Sequence, residues 1–544
     1  MKSKKLLFLP LIAVTLSLIG CKQEAAAADR SIQYDELTPQ YLDDNYRTFY
    51  QIFPVSYADS NNDGIGDLQG IIDKLDYIQE MNYTGIWLTP IHPSTYYHHY
   101  DVEDYVSVDP LLGTMETFDN LVSECHRRNI KIILDLVINH SSNLHKWFKA
   151  SYAQAKVGNF DNKNAKLYNW VTVDASGNAP YGYYKVSPSD TVAYEARFGG
   201  GMPDLNLQPI LDNPEDSNIG NKIIDILRTW LVDHDVDGFR LDAICHYFED
   251  NETKNRQFMT WLNDQCKALK SNCYIVGEGN WGSNSIENQG YQASGIDSVF
   301  QFGNSVYNEG YIKQAVMNEK ATSIFTALTN NENNAAGGIE APFLCNHDVP
   351  RFVGGVNGRE QPENVKFSLG LLQMLKGATF TYYGDEIGMA SQDSTKDGYF
   401  RLPFKWGDSY TCNPTAIKLI NVDTSKLDDK LSYPHKDLKT QQKKANSIVN
   451  YAKKANLIRL AFPQLARGSF SKNEISKSLV IITRTDEGSS IKVLINASKE
   501  SVDLDYSQYT DKLLAELCPT GSVQLKSKDS TEITIPAKSI VIMK

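Results

Sequence analysis

The sequence is poor in paired cysteines, in basic charge and in long apolar runs, and each shortage excludes a class of protein. It has eight cysteines in 544 residues, at positions 21, 125, 245, 266, 273, 345, 412 and 518. The seven after Cys21 form an odd, dispersed set without a C-x-x-C pair, which indicates neither a disulfide framework nor a zinc site. The net charge of −12 offers no basic surface for nucleic acid. Tyrosine is abundant, with 30 copies, and its half-polar ring suits stacking on half-polar ligands.

The N-terminus has the features of a bacterial lipoprotein signal. Lysines precede an apolar run of about 14 residues, too short to span a bilayer comfortably, which ends in the letters LIGC at Cys21. This ending resembles a lipobox, so we expect 1–21 to be a signal peptide, Cys21 to be lipidated and 22–44 to be a tether. The protein would then be extracytoplasmic and membrane-anchored, at the cell surface or periplasmic face. The alternative is an ordinary signal peptide cut near Ala28.

Eight short apolar runs alternate with helical stretches along the body of the chain. Such a rhythm, with spacings often near 35 to 45 residues, favours an α/β fold of the (β/α)8 TIM-barrel type over an open sheet. The predicted strands lie within residues 46–54, 84–91, 130–140, 236–246, 273–279, 296–302, 341–348 and 378–388.

Two departures from this rhythm predict the remaining domains. The interval between the third and fourth strands is too long for one helix, and 141–203 is rich in Tyr, Asn, Gly and Ser, so we expect an inserted domain there. The barrel would occupy 45–140 and 204–455. Alternating apolar residues after that point predict a C-terminal antiparallel β-sandwich over 456–544.

Polar residues cluster at the predicted strand ends, where barrel enzymes place their catalytic groups. They are Asp135, Asn139 and His140 on the third strand, Arg240 and Asp242 on the fourth, Glu278 on the fifth, and Asn346, His347 and Asp348 on the seventh. Retaining glycoside hydrolysis needs one carboxylate that attacks the anomeric carbon and one carboxylic acid that protonates the departing oxygen. We expect Arg240 to keep Asp242 ionised, and neighbouring carboxylates to raise the pKa of Glu278.

The runs DLVINH, MPDLN, GFRLDAICH, VGEG and FLCNHD, in this order, resemble the conserved regions of the α-amylase family of glycoside hydrolases. The resemblance covers nearly the whole chain from about residue 45. It implies that Asp242 is the nucleophile, Glu278 the acid/base and Asp348 the transition-state stabiliser. It also implies that Tyr100, His140, Arg240 and His347 hold the glucosyl unit at the cleavage point, and that His246 faces the leaving-group side.

Two details within the resemblance favour one activity. MPDLN at 202–206 is similar to the corresponding stretch of a group that is intermediate between the oligo-1,6-glucosidases and the neopullulanases. Many members of that group are saccharolytic α-amylases. Exo-acting 1,6-glucosidases typically carry Asp-Asn-Gly-Tyr where this chain has Tyr97, His98, His99 and Tyr100. The missing carboxylate favours endo-hydrolysis of α-1,4-glucosidic bonds in starch, glycogen-like glucans and maltooligosaccharides.

Several alternatives stay open at this point. An exo-acting α-glucosidase or oligo-1,6-glucosidase, or a maltooligosaccharide transglycosylase, would use the same residues. A non-catalytic glycan-binding protein could use the same barrel but would be expected to lose the carboxylates. We expect a monomer whose partner is its α-glucan substrate.

The run DSNNDGIGD at 59–67 predicts a structural Ca²⁺ site. Alternating oxygen ligands with a glycine between them can wrap a hard cation. The expected ligands are Asp59, Asn61, Asp63, Asp67 and the carbonyl of Ile65. Related enzymes hold calcium in this loop, and the alternative is a solvated Asp/Asn/Gly turn.

The lipid anchor predicts a fractionation result. Cys21→Ser should leave the membrane fraction and stay active on dissolved starch, because the multiply acylated cysteine of a lipobox provides the durable anchoring. Immunoblots of membrane and soluble fractions, with starch assays on both, measure this. Retention of the variant on membranes would place the anchor elsewhere.

Overall fold

The computed structural model describes residues 34 and 36–544, apart from 250, 283–285, 306–309, 354–359, 510–511 and 528–529. The predicted signal peptide, Cys21 and most of the tether lie outside the described residues. No helix within the described part combines the length and apolar character that a bilayer span requires.

The strands fall into three groups along the chain. In order they are β1 (Thr48–Ile52), β2 (Gly85–Leu88), β3 (Lys131–Leu136), β4 (Trp170–Thr172), β5 (Tyr183–Tyr184), β6 (Val192–Glu195), β7 (Gly238–Leu241), β8 (Tyr274–Gly277), β9 (Ser298–Gln301), β10 (Ala341–Pro342), β11 (Thr379–Tyr382), β12 (Ser469–Glu474), β13 (Leu479–Asp486), β14 (Ser489–Asn496), β15 (Val502–Asp505), β16 (Leu513–Leu517), β17 (Gln524–Leu525), β18 (Glu532–Ile535) and β19 (Ser539–Met543).

The helices lie mostly between the barrel strands. They are α1 (Leu68–Asp73), α2 (Leu75–Glu80), α3 (Met115–Arg127), α4 (Lys146–Ala155), α5 (Gln208–Asp212), α6 (Asn218–Arg228), α7 (Glu252–Leu269), α8 (Ile286–Ala293), α9 (Tyr311–Asn318), α10 (Thr322–Ala335), α11 (Pro362–Gln373), α12 (Pro414–Ile417), α13 (Asp429–Ser432), α14 (Leu438–Gln442), α15 (Ile448–Ala461) and α16 (Gln464–Arg467).

Eight parallel strands form the predicted barrel, and each lies inside one of the eight runs identified in the sequence. Their order is β10-β9-β8-β7-β3-β2-β1-β11. A parallel bridge between Phe343 and Phe380 joins the two ends of this order. Strands such as β1 are buried along their whole length, as expected when side chains on one face fill the barrel and those on the other pack under helices. The (β/α)8 prediction is confirmed.

Helix α3 shows how the sequence fixes the outer layer. Thr114 caps it by accepting a hydrogen bond from the amide of Thr117, which satisfies an otherwise unpaired donor at the helix start. Its buried residues recur at helical spacing, so one face packs against the barrel. These residues are Phe118, Leu121, Val122 and Cys125.

The inserted domain leaves the barrel at His140 and returns at Asp204, and these two residues form an antiparallel bridge. They stand on either side of the predicted insertion at 141–203. Within it, α4 packs with a small antiparallel sheet of order β4-β6-β5. The insertion therefore sits at the carboxyl end of β3, beside the barrel mouth.

The C-terminal domain consists of two antiparallel sheets, β12-β13-β14-β19-β16 and β15-β18-β17. Their facing side chains, including Leu494, Ile533 and Val541, share one buried cluster. The predicted boundary at 455 and 456 falls inside α15, and the first strand begins at Ser469. Buried Arg484 on β13 donates to the carbonyls of Met374, Leu465 and Gly468, which fastens this domain to the barrel.

Candidate active site

One buried guanidinium lies at the centre of the barrel mouth. Arg240 on β7 has no exposed surface. Its Nη1 lies 2.5 Å from Asp135 Oδ1 and 2.7 Å from Asp242 Oδ1, and its Nη2 lies 2.7 Å from Glu278 Oε2. Three carboxylates from three neighbouring strands therefore share a single cation.

The strand register explains this convergence. Arg240 pairs with Asp135 on β3 and with Val276 on β8, so Glu278 lies just beyond the carboxyl end of the neighbouring strand. Arg240 and Asp242 are two residues apart and point to the same side of the chain. The sequence pattern alone predicted this pairing.

Burial raises the pKa of both Asp242 and Glu278, while Arg240 acts to lower both. The charges of Asp242 and Asp348 raise the pKa of Glu278 further. The expectation that Arg240 keeps Asp242 ionised is incomplete. Burial raises the pKa of Asp242 by more than Arg240 lowers it, and the same guanidinium lies equally close to Glu278. The position of Glu278 between two other carboxylates favours its protonated form.

The backbone after β7 is also shaped around Glu278. Ala243 adopts a left-handed φ of 51°, which costs a residue with a side chain roughly 1 kcal/mol. Its amide donates to Glu278 Oε2 at 3.3 Å. This turn directs a backbone donor at the carboxyl group.

Half-buried Tyr100 and buried His347 form a pair beside Arg240. The Tyr100 hydroxyl lies 2.6 Å from His347 Nε2 and donates to Asp135 Oδ2 at 3.1 Å. The Gln51 amide nitrogen lies 2.9 Å from His347 Nδ1. Because that nitrogen can only donate, Nδ1 accepts and the ring proton is assigned to Nε2.

Asp348 is held by His347 and Arg401. Its Oδ2 lies 2.9 Å from His347 Nε2, and its Oδ1 accepts from Arg401 Nη2 at 2.8 Å. Burial acts to raise the pKa of Asp348, but His347 and Arg401 outweigh burial and lower it. Asp348 is therefore ionised.

Arg401 was not identified from the sequence. It lies in the loop after β11, and it also donates to the His347 carbonyl at 2.9 Å and to the Tyr97 hydroxyl at 2.7 Å. No spacing rule links it to Asp348. A charged residue in the otherwise apolar stretch YFRLPF was the one available signal.

The two remaining predicted histidines occupy different depths. His140 is buried, its Nε2 lies 3.1 Å from the Tyr100 carbonyl, and burial lowers its pKa to about 4. His246 is exposed at the rim, with Nδ1 3.1 Å from Glu249. The ring of Phe198 contacts both, with centroid distances of 5.4 Å to His140 and 5.3 Å to His246. No motif or spacing in the sequence distinguishes Phe198.

Comparison with known proteins decides the family. Residues 51–468 match the family model described as the α-amylase catalytic domain. This chain belongs to the α-amylase family. It is a glycoside hydrolase. The non-catalytic alternative is set aside because this chain keeps the carboxylates Asp242, Glu278 and Asp348.

Individual relatives span most of the chain. It is 35% identical over 459 residues to alpha-amylase 3 of Dictyoglomus thermophilum, covering 83% of this chain and 84% of the relative. It is 30% identical to an oligo-1,6-glucosidase of Bacillus cereus, over 63% of this chain and 65% of the relative. The solved structure of Eubacterium rectale Amy13B superposes with a TM-score of 0.81 at 33% identity, covering 93% of this chain and 97% of that one.

The 59–67 loop of this α-amylase-family enzyme has the oxygen donors of a calcium site but turns them toward its own backbone. Asp59 accepts from the amides of Asn62 and Gly64 at 2.6 and 2.8 Å, and Asp67 accepts from Gly70 at 2.6 Å. Within the described residues, no three His, Cys, Asp or Glu side chains are grouped to hold a metal ion. The oxygen donors fit Ca²⁺ in their chemistry. In the present arrangement they do not converge on one point, so the calcium site stays a prediction.

Calcium removal tests this loop. Chelation should lower the Tm, because a ligand bound only by the native state stabilises that state. Asp63→Ala should lower both the Tm and the bound calcium measured by atomic absorption. Asp264→Ala, an exposed carboxylate on α7, is the matched control. Unchanged calcium content in Asp63→Ala would remove the assignment.

Proposed function

We propose that this enzyme hydrolyses internal α-1,4-glucosidic bonds of starch, glycogen-like glucans and maltooligosaccharides with retention of anomeric configuration. The observation that carries the proposal is the contact of Asp242 and Glu278 with the two terminal nitrogens of one guanidinium. Retaining enzymes need carboxyl groups about 5 to 5.5 Å apart, whereas inverting enzymes leave roughly 6.5 to 9.5 Å for a water molecule. A shared guanidinium favours the shorter separation.

The first step uses Asp242 as nucleophile. Its carboxylate oxygen bonds to the anomeric carbon while the bond to the bridging oxygen breaks, and Glu278 gives its proton to that oxygen. In the second step Glu278 takes a proton from water, the water oxygen bonds to the anomeric carbon, and Asp242 is released as a carboxylate. The rate therefore falls as pH rises through the raised pKa of Glu278.

The surrounding residues position the sugar under attack. His347 Nε2 contacts both the Tyr100 hydroxyl and Asp348 and so positions these two groups, and ionised Asp348 is placed to stabilise the positive charge that develops on the sugar ring. Tyr100 offers a ring and His140 a neutral imidazole. Because these groups are held by one another through hydrogen bonds, little reorganisation is needed on binding.

The proposed endo specificity is supported by the partners of Arg401. Its guanidinium donates to the Tyr97 hydroxyl and pairs with Asp397 at 3.0 Å. Tyr97 stands where exo-acting relatives have the carboxylate that grips a terminal sugar. A neutral phenol cannot act as an anionic clamp, which favours a chain that passes through the mouth. The alternatives remain an exo-glucosidase and a transglycosylase.

The cellular setting is part of the same proposal. A monomer, anchored through Cys21 and stabilised by Ca²⁺ in the 59–67 loop, would act on glucan outside the cytoplasm. Its similarity to the intermediate MPDLN group supports the saccharolytic activity.

The nucleophile is tested by Asp242→Asn. The amide keeps the shape of the side chain but cannot attack, so kcat should fall by at least about 10⁴-fold with a Tm near that of the wild type. Asp225→Asn, an exposed site on α6, is the control. Near-normal turnover in Asp242→Asn, or an inverted product anomer in the wild type by NMR, would contradict the mechanism.

The endo specificity is tested by a time course of products from starch, pullulan and maltooligosaccharides. Internal cleavage should lower the viscosity of starch before much reducing sugar accumulates. Release of glucose alone from chain ends would establish the exo alternative. Accumulation of chains longer than the substrate would establish the transglycosylase.

A further inference from the structure

Phe198 is an exposed aromatic ring at the edge of the active site. It lies in the inserted domain and is 41% exposed. An isolated exposed apolar residue needs no explanation, but this ring touches His140 inside the mouth and His246 at its rim. The ring therefore connects the mouth with its rim and keeps part of its surface open to solvent.

The two ends of the mouth can be distinguished by their residues. Glu278 follows β8, and its carboxyl group is contacted by the turn after β7, which continues to His246. A general acid protonates the oxygen of the departing group, so the sugar beyond the cleaved bond lies on the side of Glu278. Tyr97, Arg401 and Asp348 lie together at the other end. Phe198 lies next to the cleaved bond, between His140, which faces the sugar under attack, and His246, which faces the leaving-group side.

A separate cavity adjoins His246. This cavity of about 560 Å³ opens between the inserted domain and the loop after β7. His246 and Arg197 line it, whereas Phe198 itself does not. It is lined by none of the three mouth carboxylates Asp242, Glu278 and Asp348.

The loop that carries Phe198 is held in place. The next residue, Gly199, has a φ of +109°, a conformation that favours glycine, and it turns the chain back directly after the ring. The carbonyl of Gly200 accepts from the Tyr194 hydroxyl at 2.6 Å, and that of Gly201 accepts from the Asn143 amide at 2.9 Å. The ring is thus presented from an anchored turn.

We propose that Phe198 is the stacking platform for the first sugar on the leaving-group side of the cleaved bond. An aromatic face and the C–H face of a glucosyl unit exclude water from each other without requiring a fixed hydrogen-bond pattern. The inference rests on the proposed function and assigns one binding residue within it. It predicts that Phe198 contributes to the cleavage of substrates whose leaving group is a sugar and not of those whose leaving group is a small ion. An acceptor sugar would stack on Phe198 in the same position.

The test compares two substrates that differ in their leaving group. The leaving group of maltotetraose is a sugar. The leaving group of α-maltosyl fluoride is a fluoride ion, which occupies no sugar-binding position. Phe198→Leu should lower kcat/KM for maltotetraose between about twofold and about tenfold and leave kcat/KM for the fluoride unchanged. Phe198→Tyr, which keeps the ring, should retain the wild-type value for both substrates. Fluoride release and reducing-sugar assays give the two rates.

Tyr181→Leu is the matched control, because Tyr181 is a 95% exposed aromatic residue of the same inserted domain, and it should change neither rate. An equal loss on both substrates in Phe198→Leu would show a general structural effect and overturn the proposal. No loss on maltotetraose would overturn it as well. A wild-type enzyme that cleaves the fluoride but no maltooligosaccharide would contradict the proposed function itself.

Discussion

The active site depends on one buried cation. Arg240 has no exposed surface, and removing a guanidinium from water is costly unless anions and hydrogen bonds compensate. Asp135, Asp242 and Glu278 supply three negative groups for one positive charge. That excess makes the simultaneous ionisation of all three unfavourable in a buried site. Asp135 accepts hydrogen bonds from Arg240, Trp87 and Tyr100, and the guanidinium lies equally close to Asp242 and Glu278. The charges of both Asp242 and Asp348 raise the pKa of Glu278, so a shared proton is best accommodated there.

The barrel is what allows such a charge cluster to form. Its members come from strands that are far apart in the sequence, yet the parallel register brings β3, β7 and β8 side by side with their carboxyl ends at one edge. Each carboxylate is fixed by a short backbone path from a buried strand, so the geometry costs little further entropy on substrate binding. The inserted domain contributes no carboxylate to this cluster. It adds a wall on the side of His140.

Much of this arrangement could be predicted from the sequence because it follows local rules. Alternation along a strand places Arg240 and Asp242 on one face, and apolar runs ending in polar residues locate all eight strands. Arg401 and Phe198 were missed because their contacts arise when distant loops close over the mouth, and no periodicity records such closure. The DSNNDGIGD loop shows the opposite limit. Its oxygen atoms suit a cation and equally suit backbone amides, so the same letters describe a calcium site and a set of Asx turns.

The two ends of the mouth use different physical chemistry. At one end Arg401 fixes Asp348 and Tyr97 through directional, charge-assisted hydrogen bonds, which are specific in geometry. On the proposed leaving-group side Phe198 presents an apolar ring, whose contact is non-directional. A glycosidase must hold the sugar under attack in one orientation but must release the departing chain after each cleavage. Directional contacts around the attacked sugar and an apolar surface under the departing one meet these two requirements in a single cleft.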